Sequence, residues 1–247
     1  MSRQLIATII TVLCLIFISA PARAAEKQFD LDALIQRAIE AHGGREAIMS
    51  AAALHAKGEI RAAKGNGTYE YWLAREGRRL MVETRYEGSS ERRLLSDKKG
   101  HRGEGGELVE VAGERYLAML YQYKHLDLLY GLTTGAYSVR YRGMHDAGGA
   151  SVHVLMLSDS EGPPMMAYVG VNSDLLLGTS GFFSVGGAET DLTVQLHDYR
   201  KTPGGLMLPY TIVNVAGGRQ ISVTSISSYE INPALPEGTF DAKGHKN

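Results

Sequence analysis

Asp198-Tyr-Arg-Lys-Thr-Pro-Gly-Gly-Leu-Met-Leu-Pro-Tyr-Thr-Ile-Val-Asn-Val215, followed by Ile221-Ser-Val223 and Ile231-Asn-Pro-Ala-Leu-Pro-Glu-Gly-Thr-Phe240, reads as paired strands at the closing end of a sheet. Pro203-Gly204-Gly205 supplies a turn that tolerates positive φ, and Gly217-Gly218 supplies a second. Strands joined this tightly can only be antiparallel.

Working outward from this tail, the same two-residue period recurs. Tyr137, Val139 and Tyr141 alternate with polar residues, as do Leu192, Val194 and Leu196, so each of these strands has one dry and one wet face. Residues 151–157 and 165–171 are apolar on both sides, as strands covered by another layer would be. Residues 68–73 and 79–86 are further strands of a meander, and 91–97 and 107–111 are shorter ones. The glycine-rich, charged stretch 98–106 reads as a solvated turn. It lacks the spacing of a phosphate-binding loop.

Two regions carry a helical period instead. In residues 29–49, Leu31, Leu34, Ile35, Ala38 and Ile39 recur at spacings of three and four, with Asp30 or Asp32 as N-cap and Gly43-Gly44 as a left-handed stop. His42 in the last turn would complement the helix dipole. Residues 114–130 form the second helix, with Arg115, Ala118, Gln122 and His125 on a narrow polar stripe and apolar or tyrosine side chains around the rest. So dry a helix is either core or a lid over an apolar concavity. About ten strands against two or three helices exceeds what a small open sheet carries without curling. The expected fold is therefore mainly β (α+β), a strongly curved antiparallel sheet forming an incomplete β-barrel with helices on its concave side.

The N-terminus reads as a secretory signal. Arg3 precedes an apolar or small run from Leu5 to Ile18, and Ala22-Arg23-Ala24 offers a cleavage site. The run is too short for a membrane span, which needs roughly 20 apolar residues. Cys14 follows Leu13 inside the run, which disfavours lipidation. Cleavage after Ala24 divides the chain into a signal peptide, residues 1–24, and one domain, residues 25–247. Removing Arg3 and Arg23 from the 26 basic residues leaves 24 against 27 acidic ones, a net charge of −3. This balance argues against a nucleic-acid partner. With its only cysteine removed, the expected mature protein has no disulfide, thiol or thiolate-ligand chemistry.

Catalytic motifs are absent. The sequence contains no His-Glu-x-x-His, Gly-x-Ser-x-Gly or P-loop. His197 and Asp198 are neighbours in a strand and point to opposite faces. Asp159 and Glu161 lead into Gly162-Pro163-Pro164, a turn between strands. The chain is expected not to be an enzyme and to need no metal or other cofactor.

The tail resembles the C-terminal end of the LolA-like periplasmic proteins, the outer-membrane lipoprotein-sorting family. The resemblance extends to residues 34–60, LIQRAIEAHGGREAIMSAAALHAKGEI, and to residues 137–157, YSVRYRGMHDAGGASVHVLML. It implies a helix-plugged incomplete barrel that shields acyl chains of lipid or lipoprotein in the periplasm. Two departures stand out: residues 81–120 match no family pattern, and no position stands out for the arginine that holds the lid in the family's carriers. On this reading the ligand would be lined by Tyr116, Leu117, Leu120, Tyr137, Val139, Leu192, Val194 and Leu196. The protein is expected to be a monomer that also meets envelope membrane proteins. The other reading is a non-carrier envelope sensor or assembly factor that uses the same sheet face for protein interaction.

Overall fold

A computed structural model describes residues 29–147, 149–185 and 188–242. The expected signal peptide lies outside them. Helix α1 (Leu31–Ala41) buries Leu34, Ala38 and Ile39, the face their spacing defines. Gly43 ends it with a φ of 109°, and a Cβ there would lie 2.4 Å from the Gly205 carbonyl oxygen. Glycine is what lets this helix end sit directly on the turn before the penultimate strand. A short helix, α2 (Gly44–Ser50), follows at once.

The chain then runs through a first meander: β1 (Ala53–Ala62), β2 (Gly65–Ala74), β3 (Arg79–Tyr86), β4 (Ser89–Ser96), β5 (Lys99–Glu104) and β6 (Val109–Val111). Helices α3 (Glu114–Leu126) and α4 (Leu128–Thr134) lead to a second: β7 (Ser138–Ala147), β8 (Ala150–Ser158), β9 (Met165–Gly170), β10 (Leu176–Val185), β11 (Ala188–Lys201), β12 (Met207–Ala216) and β13 (Arg219–Ile231). The C-terminal strands β11, β12 and β13 are antiparallel neighbours, as the opening stretch of sequence required, with Gly217 and Gly218 at φ 54° and 72° in the last turn. Strand β13 then pairs with β1, which joins the meanders back to back. The closing Ile231-Asn232-Pro233 segment pins this junction. Asn232 Oδ1 accepts from the Ala52 and Ala53 amides at 2.7 and 3.1 Å, and its Nδ2 donates to the Ser50 carbonyl at the end of α2.

The incomplete barrel expected from the sequence is not what forms. Thirteen strands lie in one sheet of linear order β6-β5-β4-β3-β2-β1-β13-β12-β11-β10-β9-β8-β7. Among the described residues each edge strand pairs on one side only, so the sheet neither closes nor curls onto itself. Strand count alone is a poor guide, because open sheets of this size do occur. Closure would need β6 to meet β7, yet β6 has three residues and β7 is bulged between Tyr141 and Met144.

This topology places the helices. The chain leaves the sheet at one edge, β6, and re-enters at the other, β7, so the α3–α4 connection has to cross a face. Helix α3 touches β4 and β5 in one half and β10 in the other, while α4 packs on α1, α2 and α3. The buried core between helices and sheet includes Leu34, Ile39, Ile48, Leu73, Leu128 and Leu155.

Two details differ from expectation. The single helix 114–130 is broken at Asp127, and the charged stretch 98–106 contains strand β5. At Gly100 in that strand a Cβ would come within 3.2 Å of Tyr116 and 3.3 Å of the Met119 sulfur. The glycine that made the stretch look like a turn makes room for α3.

Candidate functional site

Between α3 and the sheet lies a cavity of about 830 Å³. Its buried wall is largely apolar: Ile60 from β1, Tyr69 from β2, Val194 from β11, Ile212 from β12 and Met119 from α3. Half-buried Leu192 and Phe183 continue it, with Phe183 edge-on to Tyr121 at 5.1 Å between ring centres. Lys64, Arg102, Glu114 and Arg115 are exposed members of the wall and mark its open side, with Ala63, Ala118 and Ile221 exposed beside them. Closed protein cores hold few voids larger than a water molecule. A space of this size, with apolar depth and a charged mouth, has the form of a small-molecule site, for which roughly 300–1,000 Å³ is usual.

Helix α3 is fastened over this space by its C-terminal half. Tyr121 and His125 both reach the Thr179 hydroxyl on β10, at 2.9 Å each. Burial pushes the His125 imidazole down to about 4, so it is neutral at pH 7. Burial likewise raises the Tyr121 phenol above its ordinary value, and Tyr69 across the cavity is raised for the same reason. On the far side of the helix, buried Lys124 donates to Asp159 at 2.6 Å and to the Glu161 carbonyl, and Glu161 pairs with Arg78 at 2.6 Å. The two carboxylates of the 159–161 turn are thus ion-pair partners that strap the β8–β9 loop across α3.

A buried arginine, Arg75 at the end of β2, holds the helices to one another. Its Nε donates to Asp127 at 2.8 Å, its Nη1 reaches the Ile48 and Ala51 carbonyls at the end of α2, and its guanidinium lies 4.1 Å from the Tyr130 ring centre. Tyr123 donates to the other Asp127 oxygen at 3.1 Å. Burial raises the Asp127 carboxyl, and the adjacent Arg75 pulls against that shift. The break between α3 and α4 is therefore where the connection meets α2 and β2.

His42 does not act as the charged dipole partner its position implied. It is 1% exposed; its Nδ1 donates to the Ala38 carbonyl at 2.7 Å and its Nε2 accepts from the Leu176 amide at 3.3 Å. One nitrogen gives and the other takes, which fixes a neutral tautomer, and burial lowers its pKa accordingly. His42 joins α1 to β10. Asp198 pairs with Arg200 at 2.5 Å, and no hydrogen bond or ion pair links it to His197. Among the described residues no group of three or more His, Cys, Asp and Glu is placed to hold a metal ion.

Of the eight residues expected to line a ligand, Leu192 and Val194 do line the cavity. The other six are elsewhere. Leu117 and Leu120 face the strapped loop, where a Cβ on Gly162 would be 3.4 and 3.6 Å away from them, and Leu120 is 3% exposed. Tyr116 lies over Gly100, Tyr137 packs on Gly131 of α4, and Leu196 and Val139 belong to or border the core. What faces the cavity is the polar stripe: Arg115, Ala118, Gln122 and His125 are all in its wall. The readable signal was that stripe. A helix buried on its other sides has no reason to keep polar or small residues at four positions spaced by three and four unless they adjoin water or a ligand.

No family model matches the chain, and no curated protein is significantly similar to it. Solved structures are. A LolA superfamily protein from Nitrosomonas europaea has a TM-score of 0.53 at 14% identity, covering 85% of this chain and 96% of that one. An outer-membrane lipoprotein-sorting protein domain from Vibrio parahaemolyticus has a TM-score of 0.53 at 12% identity, covering 85% and 95%. A DUF1329 family protein from Desulfovibrio piger has a TM-score of 0.53 at 9% identity, covering 85% and 96%. At these identities the likeness is one of fold: the chain shares its fold with a LolA superfamily protein, an outer-membrane lipoprotein-sorting domain and a DUF1329 family protein.

Proposed function

We propose that the protein is exported, with cleavage after Ala24, and that it binds or carries the acyl chains of lipid or lipoprotein in the periplasm. The observation that carries this reading is the cavity of about 830 Å³ beneath α3, whose buried wall is mostly apolar, with Thr84, Thr224 and His125 as its polar members. Each methylene moved from water to such a wall contributes about 0.8 kcal/mol, so a long acyl chain is the natural occupant. The LolA-like fold supports the same assignment by analogy. Leu192 and Val194 are proposed as ligand contacts, together with Ile60, Met119, Phe183 and Ile212.

The test is native mass spectrometry of the protein purified from its own envelope, paired with titration of a fluorescent fatty acid. The reading expects a co-purifying lipid mass and saturable probe binding. A protein that carries no lipid and binds no hydrophobic probe refutes it.

A further inference from the structure

We infer that the ligand ends in an anionic group held by arginines at the cavity mouth. This inference rests on the acyl-chain reading and adds the chemistry of the head to it. Four cations, Lys64, Arg93, Arg102 and Arg115, share the cavity wall with two carboxylates, Glu91 and Glu114. Lys64 is satisfied from outside that wall by Glu104 at 3.1 Å. Arg93 and Arg102 divide a single carboxylate: Arg93 Nε lies 3.3 Å from one Glu91 oxygen and Arg102 Nη2 lies 3.2 Å from the other.

The first of these contacts lacks hydrogen-bond alignment, which leaves Arg93 Nε buried without a hydrogen-bond partner. A buried donor in that state is normally matched by something. Arg115, exposed on the first turn of α3, has no ion-pair or hydrogen-bond partner among the described residues. Guanidinium groups bind carboxylate and phosphate through paired, charge-assisted hydrogen bonds, so two under-used forks and a free one beside an apolar cavity fit an amphiphile with an anionic head. The tail would lie against Ile60, Val194 and Ile212 and the head between Arg93, Arg102 and Arg115. A neutral lipid would leave these groups as they are.

The experiment compares oleate with oleyl alcohol, and lysophosphatidylglycerol with monoolein, by calorimetric titration of the purified protein and of its Arg115→Glu and Arg93→Gln variants. Each anionic ligand is expected to bind at least roughly tenfold more tightly than its neutral counterpart, the worth of one charge-assisted hydrogen bond. Both variants should erase most of that advantage and leave the neutral ligands unchanged, and 1 M salt should shrink it. Arg115 is exposed and unpaired, so its replacement tests recognition apart from folding. Whether oleate or lysophosphatidylglycerol binds better identifies the head as carboxylate or phosphate, and either result supports the inference. Equal binding of anionic and neutral ligands, or variants that weaken both alike, overturns it while leaving the acyl-chain reading intact. If no ligand of either kind binds, both readings fall together.

Discussion

Replacing Arg75 with Met should be among the most destabilising single changes in the protein. The side chains of Arg75 and Asp127 are each only 9% exposed, and their contact is 2.8 Å. Removing the guanidinium leaves the Asp127 carboxylate buried with only the Tyr123 hydroxyl, and it strips a donor from the Ile48 and Ala51 carbonyls. Breaking a buried pair by removing one partner typically costs about 3–5 kcal/mol, because the remaining charge is uncompensated. For a domain with an ordinary stability of about 5–15 kcal/mol this is a large share. The assay is urea denaturation followed by circular dichroism, with the Arg75→Met, Asp127→Leu double variant alongside. If the loss comes from the stranded carboxylate, the double variant should recover much of it, since apolar replacement of both members of a buried pair is often near neutral. An Arg75→Met midpoint change worth less than about 1 kcal/mol, the range of exposed ion pairs, would refute the argument.

Three further expectations follow from the site. Ala118 is an exposed member of the cavity wall, so Ala118→Trp should obstruct the mouth and weaken fluorescent fatty-acid binding with little change in the denaturation midpoint; unaltered binding would show that the probe sits elsewhere. Leu120→Glu, by contrast, buries a carboxylate in packed core and should unfold the domain, with a loss of several kcal/mol. The neutral His125, lowered to about 4 from 6.5, contributes stability that is fully present above pH 6.5 and is lost as pH falls toward 4, roughly 2 kcal/mol by pH 5. Stability of His125→Gln measured at pH 8 and pH 5 should lack that component, and an unchanged pH slope would contradict the assignment.

The strands and the inward face of β11 were legible because both rest on local rules. Alternation at 192, 194 and 196 sets one dry face whatever lies opposite, and Gly217-Gly218 forces a hairpin from its own φ preferences. Openness of the sheet was not legible, since it depends on whether β6 and β7 meet, and neither strand encodes the position of the other. Strand β5 was missed for a related reason. Its Gly100 and Gly103 read locally as turn residues, whereas Gly100 makes room for α3 and Gly103 for the Glu107 carbonyl of the chain turning back toward β6. Arg75 was equally hidden: nothing near it in sequence marks it, and its four partners, Ile48, Ala51, Asp127 and Tyr130, come from the end of α2 and the α3–α4 region.

The apolar residues of α3 misdirected the site reading because apolarity reports burial and not the identity of what buries. A crossover helix has two kinds of neighbour, protein and cavity, and packing against protein satisfies its leucines better than a ligand that comes and goes. That leaves the polar stripe for the cavity, and the stripe's own asymmetry then matters. Its C-terminal members belong to the part of the helix tied down at Thr179, Asp159 and Asp127, through side chains between Tyr121 and Asp127. Glu114, Arg115 and Ala118, at the mouth, belong to a half that makes no side-chain hydrogen bond to the sheet among the described residues. The end of α3 that meets the charged rim is therefore held by packing of Tyr116, Leu117, Met119 and Leu120, while the other end is fixed by buried polar contacts as well.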